Sequence, residues 1–192
     1  MPLLDSSPVD VTLFDGPQPV LRDGGLVLRP WAAADAEAVY AAFTDPAVMR
    51  WHRRRADSMA EVEGWIRDWQ ATWPARTAAN WAAVADGAVT GRISLTGFDL
   101  RSGNAQVAYW TLPAARGRGL APRGVRAAVA LAFAVGFHRL ELTHSVHNPA
   151  SCRTAEKSGF PLESTQREAG LHADGWHDMH LHALVTPAGA SG

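Results

Sequence analysis

Apolar positions along the chain recur with two periods, and these periods predict its secondary structure. Alternating or continuous β-rich runs predict strands over residues 26–30, 80–85, 89–95, 105–112, 138–146, 160–166 and 176–185. Helices are predicted over residues 33–43, from a Ser58 cap to a point before Pro74, from a glycine-rich segment to about 135, and from an Asn148 cap to about 158. This order predicts an α/β (α+β) fold, with a mixed, mostly antiparallel central sheet and helices on both faces.

Local signals support several of these elements. Ser58 and Glu61 have the spacing of a capping box, and the helix that follows carries an apolar face at helical spacing. Asp86-Gly87 between two β-rich runs predicts a hairpin turn. Residues 11–14 are a further candidate for a short strand, in an N-terminal segment that is otherwise rich in Pro, Asp and Gly.

The length of 192 residues favours one domain, which we place at residues 25–186, between an N-terminal arm (1–24) and a flexible tail (187–192). Lys+Arg 18 against Asp+Glu 19 argues against a nucleic-acid partner. The single cysteine, Cys152, excludes an internal disulfide and fits a reducing compartment. No signal peptide or membrane-spanning run is recognised, so we expect a cytoplasmic protein without a membrane partner.

The segment 116–121, Arg-Gly-Arg-Gly-Leu-Ala, carries the clearest candidate chemistry. It follows a predicted strand and opens a predicted helix, an arrangement that directs backbone N–H groups at a phosphate. Glycine leaves room for a close approach, and the arginines add charge that pairs with phosphate oxygens. The alternative is an ordinary strand-to-helix turn with solvated arginines.

Two further motifs follow this loop in the chain. One is Asn148-Pro149-Ala150-Ser151 with Glu156-Lys157-Ser158-Gly159-Phe160, and the other is Asp174-Gly175-Trp176-His177-Asp178. Together with the element order, the three motifs resemble the GCN5-related N-acetyltransferase (GNAT) superfamily, and within it the RimJ/RimL type that acetylates ribosomal proteins. The resemblance implies an acyl-CoA N-acyltransferase fold and direct transfer from acetyl-CoA to a primary amine. The acceptor is then a protein N-terminus or a small amine.

The resemblance also implies which residues bind the cofactor. They are Tyr109, Trp110, Thr111, Leu112, Arg116, Gly117, Arg118, Gly119, Leu120, Ala121, Asn148 and Ser151. The loop amides would hold the diphosphate, and a backbone N–H near Trp110 or Thr111 would stabilise charge on the acyl oxygen.

Catalytic groups are less clearly marked. The resemblance implies Ser151 as a candidate general acid, with helix capping as the alternative. The helix around Ser151 offers no tyrosine, which argues against a tyrosine as the acid in this helix. The positions at which relatives carry a basic carboxylate look to be Gln106 and Gly170, neither of which takes a proton. Glu168 and His172 are the nearest substitutes for a general base, and a water chain or a plain surface-loop role are the alternatives.

Trp31 and Trp51 fall where the family builds its acceptor pocket, so we predict that they contact the acceptor, although packing is the commoner role of tryptophan. Asp178, His180 and His182 alternate along a predicted strand and share one face, which we interpret as solvated. We therefore expect no metal.

Two rival functions stay open at this point. One is an acyl-CoA-binding module without catalysis, and the other is a transferase for a bulkier acyl group such as succinyl. A homodimer is one possible assembly. Cys152 is not needed as a nucleophile, because the amine attacks the thioester directly.

Overall fold

The computed structural model describes residues 7–52 and 54–186. Within them lie eight strands: β1 Leu21–Asp23, β2 Leu26–Pro30, β3 Ala79–Ala85, β4 Ala88–Asp99, β5 Asn104–Thr111, β6 Arg139–Ser145, β7 Leu162–His172 and β8 Gly175–Val185. The α-helices are α1 Ala36–Thr44, α2 Pro46–Met49, α3 Met59–Ala71, α4 Leu120–Ala134 and α5 Pro149–Lys157. Short 3-10 helices span Val11–Asp15, Ala33–Asp35 and Pro113–Ala115. No helix in the described part of the chain is both long and apolar enough to cross a membrane.

The strands form a single sheet in the order β1-β2-β3-β4-β5-β6-β8-β7. Neighbouring strands are antiparallel except β5 and β6, which are parallel. Pairing between β5 and β6 joins residues 104–106 to 139–141 and stops there. Because β5 continues to Thr111 and β6 to Ser145, the two strands leave an opening in the middle of the sheet.

Each face of the sheet is covered by helices. On one face α4 packs against β2, β4 and β5, and on the other α1 and α3 pack together over the centre of the sheet. A Cβ on Gly124 of α4 would lie 2.8 Å from Ile93 Cγ1, so glycine lets this helix sit close to β4. The apolar stripe of α3 is buried as its spacing predicts, through Val62, Trp65, Ile66 and Trp69. The predicted fold class is confirmed.

The local turn and cap signals are also largely confirmed. Asp86 and Gly87 join β3 to β4 with φ of 52° and 76°, the left-handed region that two-residue hairpin turns require. Ser58 Oγ accepts a hydrogen bond from the Glu61 N–H (3.2 Å) at the start of α3. The Glu61 carboxylate, however, accepts from the N–H of Asp57 (2.9 Å), so the return half of the capping box is displaced by one residue.

The N-terminal segment departs from the prediction. The predicted strand at 11–14 is wrong, because Val11–Asp15 is a 3-10 helix whose cap, Asp10, accepts from Thr12 N–H at 2.9 Å. Phe14 anchors this turn in the core, with its ring 4.6 Å from that of Trp73. Strand β1 pairs with β2, so the last part of the predicted arm belongs to the sheet.

Two strands are longer than their patterns predict. Strand β4 continues to Asp99, past its predicted end at residue 95, and β7 runs to His172 through the expected surface loop. Pairing with β8 extends β7 past a register shift between Gln166 and Gly170. A hydrophobic pattern does not predict such a bulge, because the extra residue interrupts the alternation of apolar and polar positions. The predicted tail, 187–192, lies outside the described residues.

Candidate active site

The loop between β5 and α4 is an open backbone cradle. Gly117 and Gly119 have φ of 76° and 71°, in the left-handed region that glycine adopts without strain. Gly119 is the N-cap of α4. A Cβ on either glycine would find no atom within 4 Å, so the space in front of both is open.

The N–H groups of this loop are available to a ligand. Those of Gly117, Arg118 and Gly119 donate to no described residue. The first turn of α4 adds N–H groups that have no acceptor within the helix, and the helix dipole gives this end a partial positive charge. An anion of diphosphate size fits these donors, and so the residues present suit coenzyme A.

Both arginines of the loop pair with carboxylates. Arg116 Nη2 lies 2.7 Å from Asp45 Oδ1, and Arg118 Nη2 lies 2.5 Å from Asp86 Oδ2. The hydrogen bond from Arg116 holds the pKa of Asp45 below its usual range. Asp45 Oδ1 also accepts from the Val48 N–H (2.9 Å), so Arg116 ties the loop to the start of α2. Binding of a phosphate by either arginine would compete with these ion pairs.

A cavity of about 650 Å³ begins at this cradle and passes through the opening between β5 and β6. The predicted site residues that line it are Trp51, Tyr109, Trp110, Thr111, Arg116, Gly117, Gly119, Leu120, Ala121, Asn148, Ser151 and His172. Four others do not line it: Trp31, Leu112, Arg118 and Glu168. Leu112 packs instead against the core beneath α1 and α3, and its N–H donates to Thr90 O at 2.9 Å.

The direction of the Leu112 N–H decides which amides face the opening. Backbone N–H groups alternate sides along a strand, so Tyr109 and Thr111 direct theirs away from β4, toward the gap beside β6. Trp110 directs its N–H toward β4. Of the two predicted donors to the acyl oxygen, only Thr111 has this orientation.

A tyrosine and a serine meet beside the opening. Tyr109 Oη and Ser151 Oγ are 2.7 Å apart, and either oxygen can be the donor. Asn148 caps α5 by accepting from the Ser151 N–H (3.1 Å), which sets the serine on the first turn. Partial burial raises the pKa of Tyr109. Helix α5 has no tyrosine of its own, and β5 supplies one from 42 residues away in the chain.

The two candidate bases occupy different environments. His172, at the end of β7, lines the cavity, and its Nε2 is buried without a hydrogen-bond partner among the described residues. Burial, and then the nearby His177, lower the pKa of His172, so its imidazole is neutral at pH 7. Glu168 is exposed in the bulge of β7 with φ of 47°. Its position therefore does not support a role as general base.

A hydrogen-bonded chain that the sequence did not indicate lies behind His172. Ser145 Oγ is 2.8 Å from His177 Nδ1, and His177 Nε2 is 3.0 Å from Asp174 Oδ1. The ring of His172 lies 4.4 Å from that of His177. Ser145 and His177 are both buried, so these hydrogen bonds hold the His177 ring, against which His172 packs, in place. The third motif contained His177 and Asp174, but only the fold brings Ser145 to them.

The two tryptophans predicted to contact the acceptor are separated by the fold. Trp51 lines the cavity, with its ring 5.8 Å from that of His172. Trp31 is 3% exposed and packs against Trp69 and Trp110, with ring centroids at 5.1 and 6.0 Å. Trp31 is a core residue, and its burial does not agree with the prediction that it contacts the acceptor.

The histidine-bearing face of β8 is also different from our expectation. His182 is fully buried and His180 is half-buried, and Cys152 of α5 lies close to both rings on this side of the strand. Asp178 accepts a hydrogen bond from the Glu168 N–H (2.8 Å). The interpretation of this face as solvated is therefore wrong for His182.

A second, cationic cavity of about 590 Å³ shares His52 with the first. Its other lining residues are Phe43, Arg54, Trp69 and Arg92. Arg92 donates to Ser94 Oγ (2.6 Å) and Asn80 Oδ1 (2.7 Å), both neutral, and makes no ion pair within the described residues. Burial, and then the charge of Arg54, lower the pKa of Arg92 to about 10. Arg92 is thus a half-buried cation that no carboxylate among the described residues pairs with.

Comparison with known proteins identifies the family. The sequence model described as "Acetyltransferase (GNAT) domain" matches residues 25–161. The N-acetyltransferase YoaA of Bacillus subtilis, itself uncharacterized, is 24% identical over 173 residues, which cover 88% of this chain and 98% of YoaA.

Solved structures share the fold. RimL, a ribosomal L7/L12 α-N-protein acetyltransferase solved with coenzyme A, has a TM-score of 0.81 at 16% identity, over 87% of this chain and 98% of its own. The microcin C7 self-immunity acetyltransferase MccE, solved with acetyl-CoA and AMP, has a TM-score of 0.79 at 17% identity, over 85% and 94%. Since the family match spans well over half of the sequence, the chain belongs to the GNAT family and is an N-acetyltransferase whose acetyl donor is acetyl-CoA.

Proposed function

We propose that this chain acetylates a primary amine that enters the cavity beside Trp51 and His172. The observation that carries the proposal is the continuity of one cavity, which joins the glycine cradle to the Tyr109–Ser151 pair and to His172. These are the groups that a direct transfer needs: an anion grip, a proton donor for the leaving thiolate and a base for the amine.

Residues at the cradle end hold the donor. The loop amides at Gly117 and Gly119 bind the diphosphate, and the opening between β5 and β6 admits the pantetheine arm beside Asn148 and Ser151. When bound, acetyl-CoA supplies an activated acyl carbon and a thiolate leaving group. The Thr111 N–H faces the opening, where a fixed dipole can stabilise negative charge as it develops on the acyl oxygen.

Proton transfer is divided between two sites. His172 is neutral at neutral pH, so one nitrogen of its imidazole has a free lone pair and takes the proton of the attacking amine. On the other side, Ser151 and Tyr109 share a hydrogen bond that passes a proton toward the departing sulfur. Cys152 lies outside this path, so the transfer needs no acyl-enzyme.

The cationic cavity indicates the class of acceptor. Arg92 and Arg54 give it positive charge that no carboxylate in the described chain neutralises, and His52 connects it to the main cavity. A cation held partly away from water is more stable when an anion pairs with it. We therefore expect an acceptor that carries a carboxylate or another anionic group a short distance from its amine, whether it is a peptide with an α-amino group or a smaller molecule.

The experiment is an amine screen with acetyl-CoA that reads released thiol. The library contains matched pairs, in which each α-amino peptide or small amine is present as its acid and as its uncharged amide. A charge-assisted hydrogen bond contributes about 1.5–3 kcal/mol, so we expect the acid to exceed the amide by roughly 10-fold or more in kcat/KM. Arg92→Met should remove this preference, whereas the control Arg101→Met, on an exposed turn, should keep it.

The outcomes separate the alternatives. Turnover without a preference for acids refutes the proposal of an anionic acceptor but not the proposed acetyl transfer to an amine. Binding of acetyl-CoA without turnover on any amine would favour the non-catalytic binding module. Faster turnover with succinyl-CoA than with acetyl-CoA, on the same amine, would favour the bulkier acyl group. A melting curve for each variant shows whether a lost preference is only lost folding.

A further inference from the structure

Three imidazoles and one thiol meet between α5 and the strands β6 and β8. They belong to His144, Cys152, His180 and His182, and one potential ligand atom from each lies within 4.8 Å of the others. The proposed acetyl transfer uses none of the four. They come from separate elements, so the sequence brings no more than His180 and His182 together.

Hydrogen bonds determine where the protons of two of these rings are. Nδ1 of His144 lies 2.8 Å from Ser145 O, and Nδ1 of His182 lies 3.1 Å from Phe160 O. A carbonyl oxygen only accepts hydrogen bonds, so both Nδ1 atoms carry a hydrogen. In a neutral imidazole the other nitrogen then has a lone pair.

These two lone pairs face one another. Nε2 of His144 and Nε2 of His182 are 3.1 Å apart, and His182 is fully buried. Two acceptors at this distance repel unless an electron-pair acceptor lies between them. A shared proton is one such acceptor and a metal ion is the other.

The other two side chains, His180 and Cys152, distinguish a shared proton from a metal ion. Nδ1 of His180 is buried without a partner among the described residues. The Cys152 sulfur has Glu156 Oε1 at 3.7 Å as its described partner, which is a long contact. A proton between two histidines would leave both groups unexplained, whereas a four-coordinate ion uses all four.

We propose that His144, Cys152, His180 and His182 form a binding site for a zinc-type divalent ion. Nitrogen and thiolate are the ligands that Zn²⁺ prefers, and a set of one cysteine and three histidines completes a tetrahedron. With bonds of about 2.0–2.3 Å, tetrahedral ligand atoms lie roughly 3.3–3.8 Å apart, so side-chain shifts on the order of 1 Å close the site. Metal-bound histidines commonly donate their second N–H to a backbone carbonyl, as His144 and His182 do here.

The test measures metal binding by the full chain without coenzyme A, because a free thiol would itself bind the ion. The protein is stripped with a chelator and titrated with Zn²⁺ against a chromophoric competitor. We expect one equivalent to bind. Titration with Co²⁺ should give intense tetrahedral d–d bands and a thiolate-to-cobalt charge-transfer band.

Variants assign the ligands. Cys152→Ser should abolish the charge-transfer band, and His180→Ala should weaken Zn²⁺ binding by about 100-fold or more, since changes in the surrounding shell alone cost 10–100-fold. His147→Ala removes a nearby imidazole outside the cluster and should leave both readouts unchanged. Cys152 and His180 are half-buried, so their variants should fold, and a melting curve checks this.

Two results would overturn the inference. One is the absence of a stoichiometric site in the unmodified protein. The other is Zn²⁺ binding that is equally tight in Cys152→Ser, His180→Ala and the His147→Ala control. Neither result bears on acetyl transfer, because no reading depends on catalysis.

Discussion

The proposed role of the Tyr109–Ser151 pair as proton donor can be tested by removing a single oxygen atom. Tyr109→Phe removes one oxygen and leaves the ring in place. The lost hydrogen bond, 2.7 Å long, contributes about 1 kcal/mol to stability, so the variant should fold. Coenzyme A should bind as before, because the cradle at Gly117 and Gly119 is untouched.

The size of the kinetic effect follows from the two acids involved. The leaving thiol has a pKa of about 8.5, and partial burial raises the pKa of Tyr109 above its ordinary value of 10.0. Proton transfer from the phenol to the thiolate is therefore uphill, and water competes as a donor. We expect kcat to fall by about 10²-fold, at the low end of general-acid catalysis, which corresponds to about 2.7 kcal/mol. KM for the amine should change little.

The assay is initial-rate thiol release at saturating acetyl-CoA for four proteins: the parent, Tyr109→Phe, Ser151→Ala and the double variant. If the two hydroxyls pass one proton in sequence, the double variant should be about as slow as the slower single variant. Removal of either hydroxyl already interrupts the path, so removal of the second has little further effect. Losses that multiply would show that the hydroxyls act independently. A rate within two-fold of the parent for Tyr109→Phe would refute the role of the phenol.

Three further predictions concern the cradle, the base and the half-buried His52. Gly119→Trp should abolish protection against heating by coenzyme A, because the indole fills the space in front of the loop amides; full protection would mean that the diphosphate binds elsewhere. In the parent, kcat/KM should fall as pH drops through a pKa below 6.5, where His172 becomes protonated, and His172→Gln should remove this limb and cost about 10²–10⁴-fold; a variant with the same limb would exclude His172 as the base. Burial lowers the pKa of His52 from 6.5 to about 4, so the unfolded chain binds the extra proton between these values, and stability should decrease by up to about 3 kcal/mol as pH falls from 6.5 to 4. His52→Gln should flatten that part of the pH–stability curve in denaturant titrations, and an unchanged slope would contradict the assignment.

Much of the local structure was predictable because its causes are local. The apolar spacing of α3, the Asp86-Gly87 turn and the Asn148 cap of α5 depend on residues within a few positions of one another, so the sequence contains the whole signal. The N-terminal 3-10 helix was missed because its stability comes from Phe14 packing against Trp73, a contact that no local pattern records.

The chain order of three motifs, by itself, determined the family and the acetyl donor. Glycine has no side chain to cover its backbone amide, so the sequence alone shows where a loop can bind a diphosphate. Only the tertiary structure decided which groups act together. It brought Tyr109 to Ser151, buried Trp31 while leaving Trp51 at the cavity, separated His172 from Glu168, and gathered three histidines around Cys152. These juxtapositions join elements that are distant in the chain, and their geometry follows from sheet order and helix packing rather than from the spacing of neighbouring residues.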